Sequence, residues 1–360
     1  MHGVGTVAAH PRDVLLGAQA GGIHLPVCDH YSGVEARMRK SLQLQAEMTQ
    51  EFGACVFDVT LDCEDGAPVG GEKDHANMVV ALANTAQAAP SSIASSVRRR
   101  VGVRVHAVDH AAFEADVETI VGQAGAALSY VMLPKVESLA DVERAAASVG
   151  AAARGAGVAM PPLHVLIESA AAVHRVFEIA AHPQVESVSF GLMDFVSSHG
   201  GAIPAAAMGV QGQGATHQDA NLDQFHHPLV LRAKLEIASA CHAFGKVPSH
   251  CVVTEFRDLQ ALRLAAQTAA KSMGYTRMWS IHPDQIRTIV DAFAPAADEV
   301  AQAAEIVLAA QAQAWAPIAY QGVLHDRASY RYFWQVLERA SRTGRALPTD
   351  VQAFFVNTVH

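Results

Sequence analysis

Two carboxylates, Glu168 and Asp194, are placed as a pair of metal ligands would be. Glu168 follows the apolar run 163–167 (LHVLI), and Asp194 follows the run 187–193 (SVSFGLM). The segment between the two runs has the periodicity of a helix. A strand, a crossover helix and a second strand form a βαβ unit with parallel strands, so both carboxylates should emerge at one sheet edge. Hard oxygen ligands with room for water suit Mg²⁺, with Mn²⁺ as a substitute.

Eight apolar runs alternate with helical segments and predict the fold that must position these carboxylates. The runs are 23–28, 55–65, 101–108, 130–138, 163–167, 187–193, 246–253 and 277–283. Eight strand–helix units over this length predict an α/β fold, the (β/α)₈ TIM barrel. A doubly wound open sheet is the alternative, but its GxGxxG turn is absent after the first strand.

The pattern divides the chain into three parts. Residues 1–22 are predicted to be an N-terminal arm, and residues 23–294 the catalytic barrel domain. Residues 295–360 are predicted to be a C-terminal helical extension, which either packs on the barrel or forms a subunit contact near a neighbour's active site. The stretch 196–227 is rich in Gly, Gln and His, which is typical of a functional loop.

Composition limits the classes of function and the compartment. The chain has 360 residues, 51% of them hydrophobic and 17% charged, with a formal net charge of −9. This charge argues against binding nucleic acid or an anionic membrane. The cysteines are odd in number, five, and show no CxxC or CxxH spacing, which favours reduced thiols in a cytoplasmic protein. No signal-peptide pattern and no long apolar run for a membrane span is present.

Charged side chains gather at the predicted carboxyl ends of the strands, where barrels carry their functional groups. Glu64 and Asp65 follow the second strand, Arg104 the third, Lys135 the fourth and His250 the seventh. Because unpaired buried charge is costly, charges of both signs around one rim indicate a site. A guanidinium such as that of Arg104 can hold a substrate carboxylate through two parallel hydrogen bonds.

Six motifs in order carry a resemblance to a known family. They are LDCEDGAP (61–68), VRVH (103–106), LPKVES (133–138), LIESAAAV (166–173), GLMDF (191–195) and MGYTRMWSIHPDQI (273–286). Together they resemble the HpcH/HpaI aldolase and citrate lyase β-subunit family, especially its CitE-like and malyl-CoA-lyase-like branch. The resemblance implies a barrel, usually trimeric, that makes or breaks a carbon–carbon bond beside a carboxylate or CoA thioester with Mg²⁺.

The resemblance also implies roles for individual residues. Glu168 and Asp194 match the family's two metal-binding carboxylates, and Arg104 matches its substrate arginine. Glu64 and Asp65 match an acidic pair that orients the arginine, holds metal-bound water or accepts a proton. For Arg104 the structural alternative is a salt bridge to this acidic pair.

Lys135 and His250 leave alternatives open. A desolvated lysine in a barrel can form a Schiff base, but Glu137 and the predicted metal carboxylates favour a protonated Lys135 that forms a salt bridge or binds substrate. His250 stands where the family's seventh strand carries an aspartate that reaches towards the thioester. It is predicted to be an acid or base near neutral pH, or a structural histidine bonded to a carbonyl.

The sequence therefore predicts a Mg²⁺-dependent carbon–carbon lyase of the aldol or Claisen type. Its substrate would be a β-hydroxyacyl-CoA or a related hydroxy or keto acid, cleaved through an enolate. Two alternatives are an acyl-CoA thioesterase using the same site and a non-catalytic barrel that binds a metal and a dicarboxylate. The expected partners are the small-molecule substrate and further copies of the chain, as a trimer or hexamer.

Overall fold

The computed structural model describes residues 10–88, 97–210 and 222–355, and its central feature is a closed barrel of eight parallel strands. Each strand pairs with the next in chain order, and β1 closes the barrel by pairing with β8. The strands are β1 (Cys28–Ser32), β2 (Phe57–Asp62), β3 (Val101–Arg104), β4 (Tyr130–Leu133), β5 (Leu163–Ile167), β6 (Val185–Phe190), β7 (Val247–His250) and β8 (Arg277–Ser280). The predicted barrel is therefore confirmed.

Helices follow the strands, as a (β/α)₈ barrel requires. The helices of residues 23–293 are α2 (Glu35–Phe52), α3 (Glu72–Ala88), α4 (Phe113–Ala124), α5 (Leu139–Ala156), α6 (Ala170–His174), α7 (Val176–Ala181), α8 (Leu192–Ser197), α9 (Pro228–Ala243), α10 (Leu259–Ser272) and α11 (Pro283–Phe293). The single helix predicted after β5 is two short ones, because the backbone at Arg175 (φ −104°, ψ 7°) leaves the helical conformation.

Two compact units make up the chain. The barrel unit comprises residues 23–51 and 55–293, and the second unit comprises residues 1–22, 52–54 and 294–360. The described part of the second unit contains α1 (Pro11–Leu16), α12 (Ala297–Ala312), α13 (Arg327–Arg342), α14 (Thr349–Gln352) and the hairpin β9 (Ile318–Tyr320) and β10 (Val323–His325). The predicted arm, 1–22, thus shares a unit with the predicted extension, and its first nine residues lie outside the described ranges.

The second unit has an apolar core of its own. Leu15 and Leu16 of α1 pack with Ile306 of α12 and with Trp334 and Leu337 of α13. The aromatic residues of α13 divide between core and surface, since Tyr330 and Trp334 are buried and Tyr332 is exposed. Apolar burial of this kind holds the N-terminal helix against the C-terminal helices.

The barrel interior is polar below the rim. Arg277 of β8 forms ion pairs with Asp29 of β1 (3.2 Å) and Asp58 of β2 (2.9 Å). Thr60 Oγ1 donates to Asp29 Oδ1 at 2.8 Å, and the Tyr130 hydroxyl lies 3.2 Å from the same oxygen. Buried charges persist only when they are paired and hydrogen-bonded, as these are.

The first strand begins later than predicted. The expected strand 23–28 is wrong, because β1 pairs with β2 only from Cys28 onwards. Asp29 therefore lies inside the strand rather than at its end. Pro26 has no N–H to donate to a sheet. The polar residues Asp29 and His30 hide the strand pattern, because Asp29 has its partners inside the barrel and His30 has Ser41 of α2 and Ser280 on the helix side.

Other element boundaries in the structure differ from the predicted ones by a few residues. The sixth strand ends at Phe190, and Asp194 lies in the first turn of α8 rather than directly at a strand end. The loop predicted as functional, 196–227, is described except for residues 211–221, which lie outside the described ranges. None of the helices in the described ranges is long and apolar enough to cross a membrane.

Candidate active site

Glu168 is the buried carboxylate at the centre of the candidate site. It follows β5 directly and is only 4% exposed. Its Oε1 accepts the backbone N–H of Lys135 at 2.5 Å. Burial, together with the negative charge of Asp194, raises the pKa of Glu168 to about 8. The Lys135 N–H and the charge of Arg104 act to lower the pKa of Glu168, but burial and the charge of Asp194 outweigh them.

Gly191 provides the space that Glu168 occupies. Its N–H donates to the carbonyl of Ile167 at 3.0 Å, so it stands beside the end of β5. A Cβ at this position would lie 2.4 Å from Glu168 Oε2 and 2.6 Å from Glu168 Cβ. Only glycine leaves this much room, and the absence of a side chain lets the buried carboxylate occupy the space.

Asp194 and Glu168 together fit a divalent cation. Asp194 is partly buried on α8, and its charge raises the pKa of Glu168. A hard cation between them would supply the missing positive charge. No group of three or more His, Cys, Asp or Glu side chains in the described ranges is arranged to hold a metal. Two carboxylates supply fewer ligands than the six oxygens that Mg²⁺ takes, so they would leave coordination positions for water or substrate, as Mg²⁺ sites commonly do.

Arg104 is held by Asp62, a residue to which the sequence assigned no role. The two are register partners on β3 and β2, so they face the same side of the sheet. Arg104 Nε and Nη2 donate to the two oxygens of Asp62 at 2.6 Å each. Burial opposes the charge of Arg104, but Asp62 outweighs it and raises the pKa of the guanidinium. The Tyr31 ring lies 4.9 Å from the guanidinium carbon and supports it from one face.

The acidic pair, Glu64 and Asp65, joins Arg104 to Lys135. Glu64 Oε2 lies 3.2 Å from Arg104 Nη1, and Glu64 Oε1 accepts from Lys135 Nζ. Asp65 is more exposed, at 57% for its side chain, and its two oxygens lie 3.4 Å from Lys135 Nζ. We use the name rim cluster for Asp62, Glu64, Asp65, Arg104 and Lys135.

The Lys135 side chain is engaged by carboxylates rather than free. Burial acts to lower the pKa of its ammonium, but the bond to Glu64 and the charge of Asp65 outweigh burial and raise it. A protonated amine is not a nucleophile, which disfavours the Schiff-base alternative. The backbone of Lys135 has φ 53°, in the left-handed region, where a side chain costs roughly 1–2 kcal/mol.

His250 does not join the rim cluster. Its neighbour Ser249 is the register partner of Ser189, which accepts a hydrogen bond from Trp279 inside the barrel. Successive side chains of a strand point to opposite faces, so His250 points out towards the helices. There its ring stacks on Phe225 at 5.4 Å and meets Tyr275 edge-on.

The surroundings of His250 are those of a buried structural histidine. Its Nδ1 donates to the carbonyl of Cys251 at 3.1 Å. Burial, with the nearby charge of Lys234, lowers the pKa of His250 well below its usual value. The predicted acid or base role is therefore wrong, because the ring faces away from Glu168 and is held neutral. The alternative, a histidine bonded to a carbonyl, agrees with the structure.

Three features of the site were missed by sequence reasoning. Asp62 was given no role, although its place four residues after Asp58, on the same face of β2, was a usable signal. Tyr31 was missed because the first strand was predicted at residues 23–28, and Tyr31 lay outside it. Gly191, within GLMDF, was a visible glycine directly after a strand, which often marks a close approach of the backbone.

Comparison with known proteins identifies the family. A family model described as HpcH/HpaI aldolase/citrate lyase matches residues 42–283. The chain belongs to the HpcH/HpaI aldolase/citrate lyase family. It is 30% identical over 309 residues to an L-malyl-CoA/beta-methylmalyl-CoA lyase of Cereibacter sphaeroides, covering 81% of this chain and 90% of that protein.

Solved structures show the same likeness. A citrate lyase from Burkholderia xenovorans LB400 is 48% identical, with a TM-score of 0.77 over 97% of this chain and 100% of that one. CitE from Mycobacterium tuberculosis, solved with magnesium, acetoacetate and coenzyme A, is 22% identical, with a TM-score of 0.60 over 88% and 98% of the two chains. The predicted HpcH/HpaI family and its lyase class are confirmed, and the roles of individual residues stay predictions.

Proposed function

We propose that this family member is a Mg²⁺-dependent lyase that cleaves a carbon–carbon bond in a β-hydroxyacyl-CoA or a related hydroxy or keto acid. One observation carries the proposal: the desolvated Glu168 lies beside the charge of Asp194, and the charge of Arg104 does not offset the effect of these two on its pKa. The likeness to a lyase named for malyl-CoA and methylmalyl-CoA supports a CoA thioester as substrate.

Glu168 and Asp194 would hold the metal. Carboxylate oxygens with open positions favour Mg²⁺, and Mn²⁺ is the expected substitute because it accepts the same ligands. When bound, the ion would act as a Lewis acid towards the substrate's oxygens. The N–H of Lys135 holds one oxygen of Glu168, and the missing side chain of Gly191 leaves room for the other.

Arg104 would bind the substrate carboxylate and stabilise negative charge that develops on the substrate. Two of its nitrogens are held by Asp62, which fixes the plane of the guanidinium before substrate arrives. This leaves N–H groups on Nη1 and Nη2 to face a ligand, because a guanidinium carries five in all. Because the guanidinium is already oriented before the substrate binds, it need not reorganise during the reaction, and this lowers the activation barrier.

Asp65 is the member of the acidic pair placed to move a proton. Glu64 is nearly buried between Arg104 and Lys135, whereas Asp65 is exposed and lies on the same rim. We assign to Asp65 the transfer of the proton at the substrate hydroxyl or α-carbon, and to Glu64 the support of Arg104. His250 takes no part in this scheme because its ring faces the helices.

An activity panel tests the proposal. Purified protein with Mg²⁺ should cleave malyl-CoA, β-methylmalyl-CoA or a 4-hydroxy-2-keto acid into an acyl-CoA or keto acid and a carbonyl product. Glu168→Ala should abolish turnover, while Glu143→Ala, an exposed change on α5, should leave it unchanged. Release of free CoA without a carbonyl product would indicate hydrolysis instead. The absence of metal-dependent turnover across the whole panel would refute the lyase proposal.

Assembly and compartment are also proposals. Exposed apolar side chains on the outer helices, including Leu229 on α9 and Leu259 and Leu264 on α10, would suit contact with further copies in a trimer or hexamer. Light scattering of the purified protein gives the number of subunits, and a monomeric mass would refute this. The five cysteines are free, which supports a reducing compartment such as the cytoplasm.

A further inference from the structure

The backbone of Lys135 is unusual for a residue that carries a side chain. Four non-glycine residues in the described ranges have positive φ, and Lys135 is the one among them that lies in the barrel unit; the others are Ala314, Trp315 and Gln321. Strained backbone persists where the surroundings impose it, and it concentrates at functional sites. Lys135 stands directly between the Glu168 carboxylate and the acidic pair.

The strained conformation lets one residue contact carboxylates from two different strands. The N–H of Lys135 donates to Glu168, which follows β5, at 2.5 Å. Its Nζ donates to Glu64, which follows β2 and is only 7% exposed. Glycine would adopt this φ without strain, but it would offer only the first of these contacts. A side chain at this position is therefore needed for the second.

The contact with Glu64 continues to the substrate arginine. Glu64 Oε2 lies 3.2 Å from Arg104 Nη1, while its other oxygen accepts from Lys135. Without the ammonium, Glu64 would keep one cationic neighbour and could rotate away from Arg104. Arg104 would then lose a support on the side that Asp62 does not cover.

We propose that Lys135 is a positioning residue that couples the metal carboxylate to the substrate arginine, through its N–H on one side and its ammonium on the other. The inference rests on the proposed function and deepens it. In this arrangement Lys135 contacts neither substrate nor metal. Its ammonium reaches Arg104 through Glu64, and its N–H acts on the metal site through Glu168.

Calorimetry measures the binding of Mg²⁺ and, in the presence of Mg²⁺, the binding of oxaloacetate. The effect of a Lys135 variant on the metal site is thus measured separately from its effect on the substrate, and neither measurement needs turnover. In Lys135→Met the N–H stays and the ammonium is lost. The dissociation constant of oxaloacetate should rise about tenfold or more, while that of Mg²⁺ stays within about threefold. Lys135→Gly should change the two dissociation constants in the same way as Lys135→Met. Its melting temperature should be about 2 °C above that of Lys135→Ala, because glycine relieves the backbone strain.

A double variant tests whether Lys135 acts through Glu64. If it does, Lys135→Met combined with Glu64→Gln should bind oxaloacetate no more weakly than Glu64→Gln alone. Additive losses would overturn the proposal, because Lys135 would then act on the ligand by a route other than Glu64, either directly or through Asp65. A covalent adduct on Lys135 after treatment with a keto acid and borohydride would also overturn it.

Gln321→Gly is a matched control, since it makes the same backbone change at φ 49° outside the barrel unit. It should leave both dissociation constants unchanged. If the parent shows no turnover with any substrate, the lyase proposal fails, while the calorimetric pattern still decides the role of Lys135. Equal affinity of Lys135→Met and the parent for oxaloacetate would refute the coupling even in an active enzyme.

Discussion

The change Gly191→Ala isolates the geometry of the candidate metal site from the fold. Gly191 has φ −86° and ψ 81°, and alanine tolerates a negative φ of this size. The φ and ψ angles of residue 191 therefore need not change. The added methyl group, however, would lie 2.4 Å from Glu168 Oε2 and 2.6 Å from Glu168 Cβ. The substitution thus acts on one carboxylate, and its effect reports how closely that carboxylate must be placed.

The magnitude follows from the overlap. Carbon and oxygen atoms in ordinary contact lie about 3.4 Å apart or more, so Glu168 Oε2 must move by about 1 Å. The Cβ of Glu168 is fixed by its own backbone, so the residue must shift together with the end of β5. Its Oε1 is held by the Lys135 N–H, and the movement must stretch that bond or turn the carboxylate relative to Asp194. A misplacement of about 1 Å in a catalytic site costs roughly 100-fold in rate, or about 2.7 kcal/mol.

Two measurements check this prediction. The Mg²⁺-dependent kcat/KM of Gly191→Ala should fall roughly 100-fold, and its Mg²⁺ affinity measured by calorimetry should fall at least tenfold. Gly122→Ala is the matched control, because Gly122 lies within α4 with no atom within 4 Å of an added Cβ. It should keep full activity and gain about 0.5–1 kcal/mol of stability. If the Gly191→Ala variant stays folded and keeps its kcat/KM and its Mg²⁺ affinity within about threefold of the parent, the assigned role of Glu168 is refuted.

Two further predictions concern stability. Burial lowers the pKa of His30 from 6.5 to about 4, so the unfolded chain takes up the proton first as the pH falls. Stability is fully present above pH 6.5, and up to about 3 kcal/mol should be lost as the pH falls towards 4. Urea midpoints at pH 7 and 5 measure this, and an equal pH dependence in His30→Gln would contradict it. Arg277→Met leaves Asp29 and Asp58 without their buried partner and should cost about 3–5 kcal/mol in urea unfolding. Arg287→Met is the control, because it breaks an exposed ion pair with Glu51 and should cost less than about 1 kcal/mol. A similar loss of stability in both variants would argue against a stabilising role of the buried network.

Much of the fold was predictable because parallel barrel strands are buried on both faces. Their apolar runs stand out in the sequence, and helical segments of fitting length separate them. Boundaries were predicted well where the run was wholly apolar, as in β5, which was predicted and found at residues 163–167. They were predicted poorly where a strand carries buried polar side chains. β1 contains Asp29 and His30, whose buried partners Arg277 and Ser280 are about 250 residues away.

The candidate site was predictable to the level of residue types at strand ends. Glu168 and Arg104 were singled out because a charge that directly follows a buried strand needs a reason. The partners of these residues were not predictable. Arg104 was expected to have the acidic pair as its alternative partner, and it is held chiefly by Asp62. Which acid faces an arginine depends on the register between two strands, and a shift of one residue reverses the face.

The sequence by itself determined the order of the strands, the family, and the edge of the barrel at which Glu168 and Asp194 emerge. These follow from local patterns, since an apolar run of consecutive residues indicates a buried strand, and the residue that follows the run lies at its carboxyl end. The tertiary structure alone decided that His250 faces the helices, that Gly191 makes room for Glu168, and that Lys135 contacts carboxylates of two strands. Each of these depends on side chains that are distant in sequence and meet only when the barrel closes. The pair of carboxylates was therefore visible in the sequence, whereas the residues that hold them in place became visible only in the folded barrel.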